Sequence, residues 1–432
     1  MRDTTIEIVK ATIPVLVKTG QTITTRFYEL LLEENPEIVP MFNRSHQGRG
    51  LQAHALAQAL LAFAKHIDTP HVLGKALDRI AHKHASMGVL PQHYEIVGQC
   101  LLRTMSEVLG DAAAVEIIDA WGEAYEYLAS VLIEKEEQIR QRHTQQPGGW
   151  RGPRRFKVGR ITQESATVQS YYLVPVDGGP LLQFSPGQYL TVILEIDGQS
   201  VRRNYSISSA PGLDYYRITI EHTPGGLVSG YFHRQVQVGD QLDVLPPCGD
   251  FTLTDSDKPL VLISAGVGIT PTISMLDAAI ASDRPIIFLH ATQGNPEPAF
   301  REHVQALAEA HPQLHHTFVG EDPDRDDAPQ YIGLIDRSLV LTQLADLRSD
   351  LDVYFVGPQE FMQTVFGQLE HLGIAQSQVH FEFFGPQQEL TSAVPDQDSP
   401  TAQPQLLMPD MPVTALEVAS SSSDDVPVHV AP

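Results

Sequence analysis

The sequence predicts a multidomain chain of three folds in series: an all-α domain, an antiparallel β-barrel and an α/β doubly wound domain. Three observations predict it. The 432 residues allow roughly three domains at about 150 residues each. Residues 1–143 carry apolar residues at spacings of three and four, and near residue 151 the pattern changes to period two. From residue 258 short apolar strands alternate with helical stretches, the sign of a parallel sheet covered on both faces.

Within residues 1–143, Ile96, Val97, Cys100, Leu101 and Met105 form one helical stripe, and Ile117, Ile118, Trp121, Tyr125, Leu128 and Leu132 form another. Breaks fall at Gly20, Asn35-Pro36, Gly48, Thr69-Pro70, Gly88 to Pro91 and Gly110-Asp111. Roughly seven helices result, the last from about Asp111 to Arg142. Thr69-Pro70 and Leu90-Pro91 put a proline in the first turn of the next helix, where its missing N–H costs nothing. Residues 144–150, ending in Pro147-Gly148-Gly149-Trp150, read as a linker.

Residues 151–257 hold strand candidates Arg154 to Ile161, Thr167 to Val174, Gln188 to Glu195, Tyr205 to Ser208 and Tyr216 to His222, separated by turns such as Asp177-Gly178-Gly179 and Asp197-Gly198. Residues 258–386 hold Pro259 to Ser264, Pro285 to His290, His315 to Val319 and Leu351 to Val356. The tail 387–432 has seven acidic residues, seven prolines and no Lys or Arg. Such a composition cannot bury a core, and disorder is expected there.

The net charge of -24 opposes binding to nucleic acid or an anionic membrane, because polyanions are repelled. The longest apolar runs, such as Leu260 to Ile263, are strand-sized and far below the ~20 residues of a membrane span. The opening residues lack the apolar core of a signal peptide, so a cytoplasmic location is expected. Cys100 and Cys248 are the two cysteines. They cannot supply a four-cysteine iron–sulfur cluster or zinc site.

The strand Leu260 to Ser264 runs into Gly266-Val267-Gly268-Ile269-Thr270-Pro271 and a helix. Glycines at that junction let the backbone approach a pyrophosphate, and the helix N-terminus supplies free N–H groups. Upstream, Arg203-Asn204-Tyr205-Ser206 resembles the flavin signature of the ferredoxin–NADP reductase superfamily. A guanidinium fork matches phosphate, and an aromatic plane stacks on a flavin. The resemblance extends through Pro186-Gly187-Gln188-Tyr189, the loop Gly225-Gly226-Leu227-Val228-Ser229, Gly266 to Pro271, Val356-Gly357-Pro358 with Phe361-Met362, and Phe383-Phe384-Gly385-Pro386, all in order. It implies that Tyr189, Arg203, Asn204, Tyr205, Ser206, Gly225, Gly226, Ser229 and Phe383 to Pro386 bind FAD. Gly266 to Pro271, Gly357 and Pro358 would bind NADH or NADPH. Family members often carry a cysteine at the position of Phe383.

A reductase without an iron–sulfur centre needs another electron acceptor. Lys10 to Pro14, Phe27-Tyr28, Asn35-Pro36, Met41-Phe42-Asn43, Lys83-His84, Tyr94 and Asp119 to Tyr125, closed by Pro147 to Trp150, resemble the globin of flavohaemoglobins. The resemblance covers residues 1–386. His82 and His84 project about 200° apart on a helix and cannot both face one haem. The family match selects His84 as the proximal ligand of haem b. It places Tyr94 and Glu136 behind it, with Glu134 and Glu137 close to the latter, and Lys83 near the gap between haem and flavin. Tyr28 and Gln52 match the distal polar pair, Leu56 caps the iron, and Phe42 wedges the haem.

The resemblance implies a nitric oxide dioxygenase. NAD(P)H reduces FAD, FAD reduces the haem, and the haem uses O2 to convert NO to nitrate. No nucleic acid, membrane or obligate protein partner is implied. Two other readings stand beside it: a haem sensor whose reductase resets its redox state, and a flavin reductase with an emptied globin shell. Tyr28, Gln52, His84 and Tyr94 speak against the second.

Overall fold

The computed structural model of the chain describes residues 1–42, 50–292, 298–320, 331–333, 335, 337–344, 350–385 and 390. Asn43, Gly48 and Pro386, each part of a motif or break above, lie outside the described residues.

Six α-helices occupy the described part of the first domain: α1 (Asp3–Ala11), α2 (Ile13–Glu34), α3 (Leu51–Lys65), α4 (Gly74–Met87), α5 (Pro91–Leu109) and α6 (Val115–Gln145). Gly20 does not break α2. It is buried where α2 crosses α3, with the Ala57 side chain against it, and Thr24 one turn later donates to the Ala53 carbonyl at 2.7 Å. A Cβ at this position would meet Ala57 at an ordinary 3.7 Å, so the helix tolerates the glycine without the crossing demanding it. Gly110–Ala112 form a 3-10 turn, so α6 begins at Val115 instead of Asp111. Residues 144 and 145, expected in the linker, are helical. The core gathers Phe27, Leu31, Phe63, Leu101 and Trp121. The Trp121 indole N–H is satisfied by the Thr12 hydroxyl at 3.2 Å.

The second domain has β1 (Arg154–Ser165), β2 (Val168–Pro175), β3 (Tyr189–Ile196), β4 (Gln199–Ser206), β5 (Tyr216–Glu221) and β6 (Gln241–Cys248), with α7 (Leu227–Gln235) between the last two. The antiparallel order is β4-β3-β6-β1-β2-β5, and a bridge from Ile207 to Ile218 joins the two edges into a barrel. β6 carries Pro246 and Pro247, which read against a central strand. They fall where the β3–β6 register shifts between Tyr189 and Thr191, so the missing N–H groups leave the ladder intact.

The third domain runs β7 (Leu260–Ala265), α8 (Ile269–Ala279), β8 (Ile286–Ala291), α9 (Arg301–Ala310), β9 (Leu314–Gly320), β10 (Tyr331–Ile332), α10 (Arg337–Leu344), β11 (Asp352–Val356), α11 (Gln359–His371) and β12 (Val379–Phe381). Its parallel order is β10-β9-β8-β7-β11-β12. Leu260 to Ile263 are fully buried because helices cover both faces, and each such side chain contributes about 1.5–3 kcal/mol. The strand order reverses between β7 and β11, and the crevice at such a point is where nucleotides bind in open α/β sheets. Leu390, expected in the tail, is half-buried against this core.

The helical domain rests on the barrel through α4. Leu77, Ala81 and Ala85 share one buried cluster with Tyr189 of β3 and Cys248 of β6. Among the described residues, no helix is long and apolar enough to cross a membrane.

Candidate functional site

His84 sits in the last turn of α4 with its ring at the centre of a polar network. Its Nδ1 lies 2.9 Å from Glu136 Oε1 and 2.8 Å from the Tyr94 hydroxyl. Tyr94 donates its own proton to Glu136 Oε1 in a short hydrogen bond. Glu136, on α6, is fully buried, and its other oxygen accepts from Arg140 Nη2 at 3.2 Å. Burial and the neighbouring carboxylate push the Tyr94 phenol up, so it stays a donor. With Tyr94 donating, the Glu136 oxygen also accepts a hydrogen bond from His84 Nδ1–H. That fixes the tautomer whose Nε2 lone pair is free for a metal. The three residues come from three helices, and of the neighbouring glutamates it is Glu136 that meets His84.

Across the same domain, Tyr28 of α2 packs edge-on against Phe42, with ring centroids 5.7 Å apart, and Leu56 of α3 lies in the same cluster. Burial raises the Tyr28 phenol, so its hydroxyl stays protonated. Gln52 Oε1 is buried without a partner. Unsatisfied polar atoms in a folded interior mark a place for a ligand, and the donor set suits a haem with His84 behind it and Tyr28 and Gln52 in front.

In the barrel, the β3–β4 register places Tyr189 opposite Ser206, and Leu190, Thr191 and Val192 opposite Tyr205, Asn204 and Arg203. Two motifs read separately in the sequence therefore lie on paired strands, with Tyr189, Asn204 and Ser206 on one face and Arg203 and Tyr205 on the other. Thr191 donates to Asn204 Oδ1 at 2.9 Å, while Asn204 Nδ2 is buried and unpaired. Arg203 Nη1 donates to the Arg202 carbonyl at 2.7 Å. The glycine loop is pinned by Ser229, whose hydroxyl accepts the Thr223 N–H at 3.2 Å, and Gly226 caps α7. Tyr205 stands on Phe232 of α7 with centroids 5.6 Å apart.

At the crevice, Gly266 takes φ 54° and Gly268 closes a 3-10 turn leading into α8. A Cβ on Gly268 would run into the Val356 carbonyl at the end of β11, so glycine alone permits that approach. Gly357 and Pro358 follow β11 beside it. Thr270 and Pro271 are buried in the first turn of α8, and Val267 accepts the Thr270 hydroxyl proton at 3.0 Å. Below the loop, His290 Nδ1 and Ser264 Oγ lie 2.9 Å apart, and burial holds His290 neutral, down to about 3. Phe383 packs edge-on against Phe381, and Phe384 is exposed.

Comparison with known proteins accounts for each part. The Globin family matches residues 25–132, the oxidoreductase FAD-binding domain matches 156–253, and the oxidoreductase NAD-binding domain matches 262–366. A flavohemoprotein of Pseudomonas aeruginosa is 48% identical over 88% of this chain and 96% of its own length. One from Bordetella pertussis is 44% identical over 88% of this chain and 97% of its own. The chain belongs to the flavohaemoprotein family. The crystal structure of a Malassezia yamatoensis flavohemoglobin with bound FAD and heme matches with a TM-score of 0.80 at 30% identity, covering 89% of this chain and 99% of that one.

In this flavohaemoprotein the junction of globin and barrel joins two motif residues, Lys83 and Tyr189, to groups that the motifs miss. Lys83 Nζ lies 5.1 Å from the centre of the Tyr189 ring. Burial lowers the Lys83 ammonium, against the pull of Glu382 and Asp250. Glu382, between two phenylalanines of the terminal segment, has Oε2 buried without a partner, and burial raises its carboxyl to about 7. The Tyr189 hydroxyl reaches Ser86 at 3.4 Å, and Arg79 pairs with Asp250 at 3.3 Å. Arg140 had one local signal, its i,i+4 spacing from Glu136. Glu382 had none, because its neighbours arrive from other domains.

Proposed function

We propose that this flavohaemoprotein is a nitric oxide dioxygenase, drawing electrons from NADH or NADPH and consuming O2 and NO. Bound haem, FAD and nicotinamide nucleotide would supply hydride acceptance, single-electron transfer and oxygen activation at iron. The observation that carries the reading is His84 backed by both Glu136 and Tyr94. A buried carboxylate accepting from Nδ1–H makes the other nitrogen a stronger electron donor, which favours oxygen activation over storage.

The chain's own groups divide the remaining work. Arg203 and the Gly225-Gly226 loop would hold the flavin pyrophosphate, while Tyr205 and Ser206 would line its ring. Gly266 to Pro271 with Gly357 and Pro358 would seat the nucleotide at the switch point. Tyr28 would offer a donor to dioxygen, Gln52 a second polar group on the distal side, and Leu56 and Phe42 would exclude water. A cytoplasmic location fits the supply of reduced nucleotide and the two cysteines, both free.

The test is NO consumption by purified protein with NADH and O2, following nitrate. Nitrate should match the NO consumed. Tyr28→Phe should weaken O2 binding by roughly one to two orders of magnitude, the cost of a hydrogen bond to a charged acceptor, and leave flavin reduction unchanged. A protein that bound O2 but consumed no NO would be a sensor instead.

A further inference from the structure

β4 presents consecutive arginines, and neighbours on a strand point to opposite faces. Arg203 shares its face with Tyr205. Arg202 lies on the other face, with Asn204 and Ser206, and donates from Nη1 to the carbonyl of Met87, the last residue of α4. That carbonyl is one of the four at a helix end that lack an intrahelical partner, and a guanidinium there also meets the negative end of the helix dipole. Gly88 makes the contact possible. It takes φ 74°, and a Cβ on it would lie 2.9 Å from Arg202 Nη1.

The turn so capped is the one that follows His84. The His84 carbonyl accepts the Val89 N–H at 3.0 Å. The Val89 carbonyl accepts from Arg140, the same arginine that holds Glu136. Arg140 thus grips this turn from within the globin, and Arg202 grips it from the barrel. Arg202 Nε is buried without a partner.

We propose that Arg202 is a positioning residue for electron transfer between the two cofactors. It ties the turn after His84 to the strand bearing Arg203, Tyr205 and Ser206, and so fixes the haem-side imidazole relative to the flavin-side surface. The proposal rests on the cofactor assignments given under Proposed function.

Holoprotein carrying Arg202→Met tests it, with stopped-flow traces that separate flavin reduction from haem reduction and with amide hydrogen exchange over residues 85–89. Flavin reduction by NADH should keep the parental rate. Haem reduction should slow by about tenfold, and the Gly88 and Val89 amides should exchange about tenfold faster, as expected for losing a hydrogen bond from a charged donor. Arg202→Lys, whose ammonium still reaches one carbonyl, should recover most of both. Haem reduction at the parental rate, exchange as in the parent, or a parallel fall in flavin reduction would each overturn the proposal. If Arg202→Met fails to fold, Gly88→Ala displaces the same guanidinium and must give the same split between the two reductions. The exchange measurement on protein lacking either cofactor judges the Arg202 tie by itself, apart from the cofactor assignments.

Discussion

The ammonium of Lys83 lies over the ring of Tyr189, 5.1 Å from its centre. One residue precedes the haem-side histidine and the other opens the flavin-side strand. Contact between them means that globin and barrel meet at the functional groups, not at a remote surface. The same gap holds Glu382, so its electrostatics are set by three segments far apart in sequence.

Glu382 gives a pH-dependent prediction. Burial raises its carboxyl from the ordinary 4.5 to about 7. Between those values the folded protein binds the extra proton, so this group's contribution to stability falls as pH rises through the window. Glu382→Gln removes the effect. In flavin-free protein the melting temperature of the variant relative to the parent should be higher at pH 8 than at pH 4.5. An equal difference at both pH values would contradict the assignment.

Glu136→Gln should keep haem but take from His84 its charged acceptor. The iron midpoint potential should rise, and NO turnover should fall by about 10–100-fold, the usual range for a partner behind a metal ligand. Spectroelectrochemical titration reads the potential directly. His84→Ala should lose haem and keep FAD, which the Soret band and extractable flavin report.

Arg203→Ala should weaken FAD binding by about 10–100-fold through lost charge-assisted hydrogen bonds. Haem content should stay as in the parent, since Arg203 lies on β4 and the imidazole network lies within the globin. Ultrafiltration of released flavin measures the first, and absorbance the second.

Truncation after Leu390 should leave flavin reduction by NADH intact. Residues 391–432 contain no aromatic residue and no Lys or Arg, a composition that cannot fold alone. Truncation after Pro386 also removes Leu390, and should cost about 1 kcal/mol for a half-buried leucine. Loss of FAD from the longer truncation would place the domain's end further downstream.

The sequence by itself determined the three folds and the order of their motifs. The change from period three-to-four to period two near residue 151 reports how each segment buries apolar surface locally, and so it is legible without contacts. Arg203 to Ser206 and Gly266 to Pro271 are short runs whose function depends on their own residues and backbone, and the family resemblance singles out His84 among eighteen histidines. Only the tertiary structure decided the rest. It selected Glu136 among neighbouring glutamates, because the helix rotation that aims one carboxylate at His84 depends on how α6 packs on α4. It kept Gly20 inside a helix, because burying one face of the long α2 outweighs the roughly 0.5–1 kcal/mol that a glycine costs a helix. It assembled Lys83, Tyr189 and Glu382, and set Arg202 against Met87. Those partners lie more than a hundred residues apart, and their attraction exists only after three separately folded cores have brought them within hydrogen-bond or ring-contact distance.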